Sequence, residues 1–251
     1  MKNIIILLLL IITLNSCSQQ EKTYGNGEKM KLGHILYKVD DLDESVKEFT
    51  DKGFTVEYGK EENPYNALIY FAEGPYLELF HNSGLPSFVK IILKLLGKKA
   101  FVDRLNTWEN SKEGLIAVAL ENDRFDVDIE QQILDDANLK YFKGRSGRTD
   151  TKGRKLKFKG IMPNDMEVPF FGTKFNINVR PPKGYTHPNG IKRIKSVSFG
   201  TKKEFVPIIR QLCDDDGLKL FLGEGVKDLE FEYATQDLTE NKLHNKMTDL
   251  E

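Results

Sequence analysis

An imidazole and a carboxylate on one face of a sheet can share a divalent ion or pass a proton between them. His34 and Glu78 are candidates for such a pair. His34 lies in an apolar run over residues 32–39, and Glu78 in a second run over residues 76–81. Successive side chains of a strand point to opposite faces. Alternation therefore sets Ile35, Tyr37 and Val39 on one face of the first run, with Leu32, His34 and Leu36 on the other. In the second run Leu77 and Leu79 oppose Tyr76, Glu78 and Phe80. If a helix covers the first-named face in each, His34 and Glu78 project together from the open face. Asn66, Tyr70, Tyr76 and Phe80 would line that face and could orient a ligand. Each of the four reads equally well as an ordinary half-buried strand residue.

The elements that must position this pair follow from periodicity. After the first run, Asp40-Asp41 makes a turn. Leu42, Val46 and Phe49 then fall at helical spacing, and Gly53 ends the helix. Strand-like pieces follow at 54–60, 66–72 and 76–81, separated by Asn63-Pro64 and Gly74-Pro75. The order is βαβββ over residues 31–81. Residues 82–113 form a helical insertion, with Phe88, Ile91, Ile92 and Leu95 at helical spacing and lysines near the other face. It could be a lid over a pocket, an interfacial helix resting on a membrane, or a packed connecting hairpin. A second round of the same order occupies 114–176. A loop at 177–192 and a partial third round at 193–235 complete the pattern, before a polar tail at 236–251.

The first module resembles the glyoxalase-like branch of the vicinal oxygen chelate superfamily. The resemblance rests on Gly33-His34, Asp41-Leu42-Asp43, Gly53-Phe54-Thr55-Val56, Asn66-Ala67-Leu68-Ile69 and Tyr76-Leu77-Glu78-Leu79, in that order and spacing. It returns at Val168-Pro169-Phe170-Phe171 and His187-Pro188-Asn189-Gly190. It implies an α+β fold of paired βαβββ modules, a curved mixed sheet around a cleft, with a partial third module. It also implies a divalent metal, held by one His or Glu from the first strand and a Glu from the fourth strand of each module. His34 and Glu78 match those positions in the first module, and Zn, Mn, Fe or Ni would suit them about equally. The second module offers only Ile116-Ala117-Val118 and Phe170-Phe171-Gly172, and the third Ser196 with Glu230 or Glu232. His187 on its loop could complete a metal set. Without a metal, His34 and Glu78 could act as a proton-transfer pair or simply satisfy each other.

Two functions follow: a metal-dependent lyase, isomerase or dioxygenase acting on a small oxygenated substrate, or a module that binds a small molecule without turnover. Superfamily members often pair chains, so a homodimer is a further expectation. Other chemistries lack support. No Ser or Cys sits at a strained elbow with a paired His, and no phosphate-binding Gly-rich loop is present.

Location is also legible. Lys2, an apolar run over residues 4–14 and Leu14-Asn15-Ser16-Cys17 resemble a bacterial lipoprotein signal, with Cys17 as the lipidated residue. The run is too short to span a bilayer core that needs ~20 residues. Residues 18–30 read as a flexible tether. The expected location is the cell envelope, membrane-anchored through lipid, at the outer membrane if the host has one. Composition fits a globular chain of 251 residues: 39% hydrophobic, 30% charged and a net charge of -1 that selects no partner. Nine Lys and Arg lie between Lys140 and Lys159. On an exported protein these suit anionic headgroups, an anionic substrate or solubility, and not nucleic acid. Cys213 lies beside an apolar stripe and reads as core packing.

Overall fold

The computed structural model describes residues 28–234. The signal, Cys17 and the polar tail lie outside the described residues. Two βαβββ modules join in one eight-stranded sheet, and a third, partial module forms a separate three-stranded sheet. The first module runs β1 (Lys31–Lys38), α1 (Leu42–Asp51), β2 (Glu57–Tyr58), β3 (Asn66–Ile69) and β4 (Tyr76–Phe80). The insertion supplies α2 (Ser87–Leu95) and α3 (Lys99–Glu109). The second module runs β5 (Gly114–Asn122), α4 (Asp128–Asp136), β6 (Tyr141–Thr149), β7 (Lys155–Pro163) and β8 (Phe170–Thr173). The third contributes β9 (Ile191–Thr201), α5 (Val206–Leu212), β10 (Leu218–Leu222) and β11 (Val226–Tyr233).

Local chemistry accounts for the helix that seats β1. Asp41 caps α1 by accepting from the Glu44 N–H at 2.9 Å, and Leu42 and Phe49 are buried on one side. Gly53 turns the chain out at φ 80°. The strand expected at 54–60 shortens to Glu57–Tyr58, paired only with β3 at the sheet edge. Short edge strands offer little unpaired backbone to a neighbouring chain. Most of the tether expected at 18–30 lies outside the described residues, and its last residue belongs to the core. Met30 is fully buried and forms a parallel bridge with Cys213, itself a buried core residue.

The order β2-β3-β4-β1-β5-β8-β7-β6 puts β1 and β5 at the centre, antiparallel to each other. Each is parallel to the last strand of its own module. One face of this sheet packs on α1, α4, α5 and the small sheet. Ile35, Leu77, Leu79, Val118 and Leu120 meet Ile194, Val197, Ile209 and Leu218 there in a continuous core. Burying each such side chain contributes about 1.5–3 kcal/mol. A β-bulge between Leu32 and His34 changes the expected alternation. Leu32 joins this core, while His34 and Leu36 face the other way.

The opposite face curls round a cavity, and the insertion forms part of its wall. α3 buries Val102, Leu105 and Trp108. It is pinned by buried Arg104, whose guanidinium donates to the carbonyls of Pro163 (2.6 Å), Asp165 (3.0 Å) and Val168 (2.9 Å). α2 buries none of its residues. Phe88, Ile91, Ile92, Leu95 and Leu96 stand 50–82% exposed.

Candidate functional site

Four strands bring polar side chains to the floor of the cavity. β1 supplies His34, β3 Asn66, β4 Glu78 and β5 Glu121. His34 lies between the two carboxylates: Nδ1 is 3.2 Å from Glu121 Oε1, and Nε2 is 3.7 Å from Glu78 Oε2. A carboxylate can only accept, so Nδ1–H donates to Glu121 and fixes the tautomer. Glu78 is steadied from its other oxygen, where Asn66 Nδ2 donates at 2.7 Å. The side chains of His34, Glu78 and Glu121 are only 12–15% exposed, so their interactions are poorly screened by water.

Aromatic rings hold the imidazole plane. Tyr76 stacks on it at 4.6 Å and Phe170 meets it edge-on at 5.3 Å. Trp108 from α3 packs against Phe170 and Phe80, so the insertion helps build the wall around the histidine. The cavity has a volume of about 440 Å³, within the range of small-molecule sites. Its far wall is the β6–β7 hairpin, from which Arg148 reaches inward. Arg148 Nη2 donates to the Tyr70 hydroxyl at 3.3 Å. Burial pushes the Tyr70 and Tyr76 hydroxyl pKa values well up, so both remain protonated hydrogen-bonding groups. Of the four residues expected on this face, Asn66, Tyr76 and Phe80 line the cavity, and Tyr70 stands behind Tyr76 at 5.1 Å between rings.

The donor geometry was tested against the metal that the resemblance implies. Glu78 and Glu121 address opposite nitrogens of one ring. Those nitrogens diverge, so no single ion can meet Nε2 and both carboxylates. One ion could share only Nε2 and Glu78, short of the three protein ligands of a usual catalytic site. Among the described residues no group of three or more His, Cys, Asp or Glu is arranged to hold a metal. His187 does not supply the third. It is buried against Phe54, Phe71 and Tyr185 on the core side of the sheet. Its Nδ1 accepts from the Thr55 N–H at 3.0 Å, and its Nε2 has no hydrogen-bond partner. Burial lowers its pKa to about 4, with the Tyr70 backbone pulling weakly the other way. Glu230 and Glu232 of the third module pair with Lys219 and Arg193 at the surface.

Glu121 and Arg148 are the site residues that sequence reasoning missed. By analogy with His34, the ligand position of the second module's first strand falls at Ile116-Ala117-Val118. Because β5 runs antiparallel to β1, Ala119 is the residue opposite His34, and Glu121 follows two places on. The available signal was Gly33. A Cβ there would lie 2.2 Å from Glu121 Cγ, so only glycine leaves room for that side chain.

Residues 32–210 match the family described as glyoxalase-like domain. No curated protein matches the chain. Among solved structures, a hypothetical protein from Staphylococcus aureus is 15% identical, over 79% of this chain and 88% of that one, with a TM-score of 0.54. That likeness is one of fold. A methylmalonyl-CoA epimerase from Streptomyces coelicolor, in complex with 2-nitronate-propionyl-CoA, is 17% identical over 58% of this chain and 96% of that one, with a TM-score of 0.37. A xylose isomerase-like TIM barrel/4-hydroxyphenylpyruvate dioxygenase fusion protein is 11% identical over 83% of this chain and 37% of its own, with a TM-score of 0.45. With two βαβββ modules in one sheet and a match spanning residues 32–210, the chain belongs to the glyoxalase-like domain family of the vicinal oxygen chelate superfamily.

Proposed function

We propose that this domain binds a small oxygenated molecule in the cavity and moves a proton on it, with His34 as the acid–base group. The observation that carries this reading is the bracketing of His34 by Glu121 and Glu78. Glu121 holds Nδ1–H, which leaves Nε2 and Glu78 Oε2 facing each other across 3.7 Å. That gap is too long for a hydrogen bond. Each atom is therefore free to take a proton from a bound molecule. Glu121 stabilises the imidazolium that results, and Asn66 keeps Glu78 aimed. A positioned base of this kind contributes about 10²- to 10⁴-fold to a rate. Isomerase and lyase chemistry fits these groups, and no step here is routed through a metal.

The test is deuterium exchange into small carbonyl compounds in D₂O, followed by NMR with the full chain in detergent. Exchange that falls at least about hundredfold in His34→Ala supports the reading. Elemental analysis of the same samples, purified without a metal-affinity tag, gives the opposing outcome. One equivalent of metal, lost in both His34→Ala and Glu78→Ala, would replace proton transfer with a chelate site. Ligand binding without exchange would leave a binding module.

The envelope location is part of the same reading. Acylation of Cys17 would tether the domain, and the exposed apolar face of α2 could then rest in the headgroup region. Labelling with a fatty-acid analogue should mark the wild-type chain and not Cys17→Ser. Flotation of Cys17→Ser with lipid vesicles, compared with and without Phe88→Glu, tests α2 alone.

A further inference from the structure

The cavity holds a guanidinium that no carboxylate of its walls pairs with directly. The guanidinium of Arg148 lies over the Phe175 ring at 5.4 Å and donates to the Tyr70 hydroxyl, and its Nε is buried without a partner. Among the described residues no carboxylate lies within ion-pair distance of it. On the same hairpin Lys143 pairs with Asp128, Lys152 with Glu57 and Arg154 with Asp150, whereas Arg145, which also lines the cavity, is exposed to solvent and Arg148 is half-buried. Glu78 and Glu121 are turned toward His34 instead. A half-buried cation without a counter-charge is costly to keep unless something supplies the anion.

We infer that Arg148, steadied by the Tyr70 hydroxyl, forms a carboxylate subsite, so the molecule taken up here is a small carboxylic acid. This inference rests on reading the cavity as the site for a small oxygenated molecule, and it names the class. The guanidinium fork matches a planar carboxylate. The Tyr70 hydroxyl accepts from Arg148 and holds the guanidinium in place from behind. Spacing favours the assignment. Tyr76 stands between hook and base, its ring 5.1 Å from Tyr70 and 4.6 Å from His34. Arg148 and His34 line the same cavity of about 440 Å³, so a molecule held at Arg148 shares that space with His34. A second unsatisfied atom extends the specification: Asn66 Oδ1 is buried without a partner. It and Arg148 Nη1 both lie close to Gly59. An acceptor there suits a hydroxyl near the carboxylate.

The experiment measures binding of phenylacetate, phenylacetamide, mandelate and phenyl phosphate to the full chain in detergent by calorimetry. Phenylacetate should bind at least about tenfold more tightly than its uncharged amide, and mandelate more tightly still. Arg148→Met should erase the preference of acid over amide, and Arg148→Lys should keep part of it, which separates lost charge from lost folding. His34→Gln should leave the preference intact. Equal binding of acid and amide, or a preference that survives in Arg148→Met, overturns the subsite. Tighter binding of phenyl phosphate than of phenylacetate overturns the carboxylate assignment. Should deuterium exchange fail while the Arg148-dependent preference holds, proton transfer is lost and the subsite stands.

Discussion

Two histidines, His34 half-buried on the cavity face of the sheet and His187 buried on its core face, have received opposite surroundings. His34 meets a carboxylate at each ring nitrogen and opens onto a cavity. His187 meets three aromatic rings and one backbone N–H. In the first, each ring nitrogen faces a carboxylate. In the second, charge has no partner, and the group stays neutral down to about pH 4. Burial alone therefore says little about a histidine's role. The groups facing its two nitrogens decide it.

Exchanging residues between these two situations should produce effects of very different size. His34→Ala should cost proton exchange at least about hundredfold while leaving the fold intact, as thermal melting would record. An unchanged rate would break the contrast. Gly33→Ala attacks the same histidine indirectly, since its Cβ must push Glu121 aside. A loss of about tenfold is expected, and Gly33→Ala should add little to Glu121→Ala in a double-mutant cycle. Full additivity would mean that the glycine acts elsewhere.

His187 should reveal itself in stability and not in rate. Its pKa falls from 6.5 unfolded to about 4 folded, so the unfolded chain binds more protons between those values. Stability is then fully present above pH 6.5 and declines as pH drops toward 4, by up to about 3 kcal/mol. Denaturant melts across that range should show the decline, and His187→Gln should flatten it. The smallest effect belongs to α2. Leu95 is 82% exposed, so Leu95→Glu should shift stability by less than about 0.5 kcal/mol. A larger loss would mean that this face is covered by something in solution.

How much of this was legible in the sequence depended on range. Local signals carried far: the Asp41 cap, the Leu42 and Phe49 stripe, the turns and the repeated βαβββ order all follow from neighbouring residues. Pairing between distant strands did not. Glu121 becomes visible as a partner of His34 only when β5 is known to run antiparallel to β1. Leu32 changes face because a bulge inserts one residue that alternation cannot foresee. Loop position could not distinguish His187 as a ligand from His187 as a core residue. Burial among Phe54, Phe71 and Tyr185 settles its place. Arg148 was one of nine basic residues on a hairpin until the curl of the sheet aimed it inward.

The pairing of β1 with β5 also bears on how the chain reaches its working state. His34 and Glu121 are 87 residues apart, and Arg148 is 78 from Tyr70. Contacts of such sequence separation form slowly, because long loops must close before any reward is felt. Neither half of the chain holds a complete set of the groups that meet in the cavity. The cavity floor is therefore assembled only when one central seam, β1 against β5, closes.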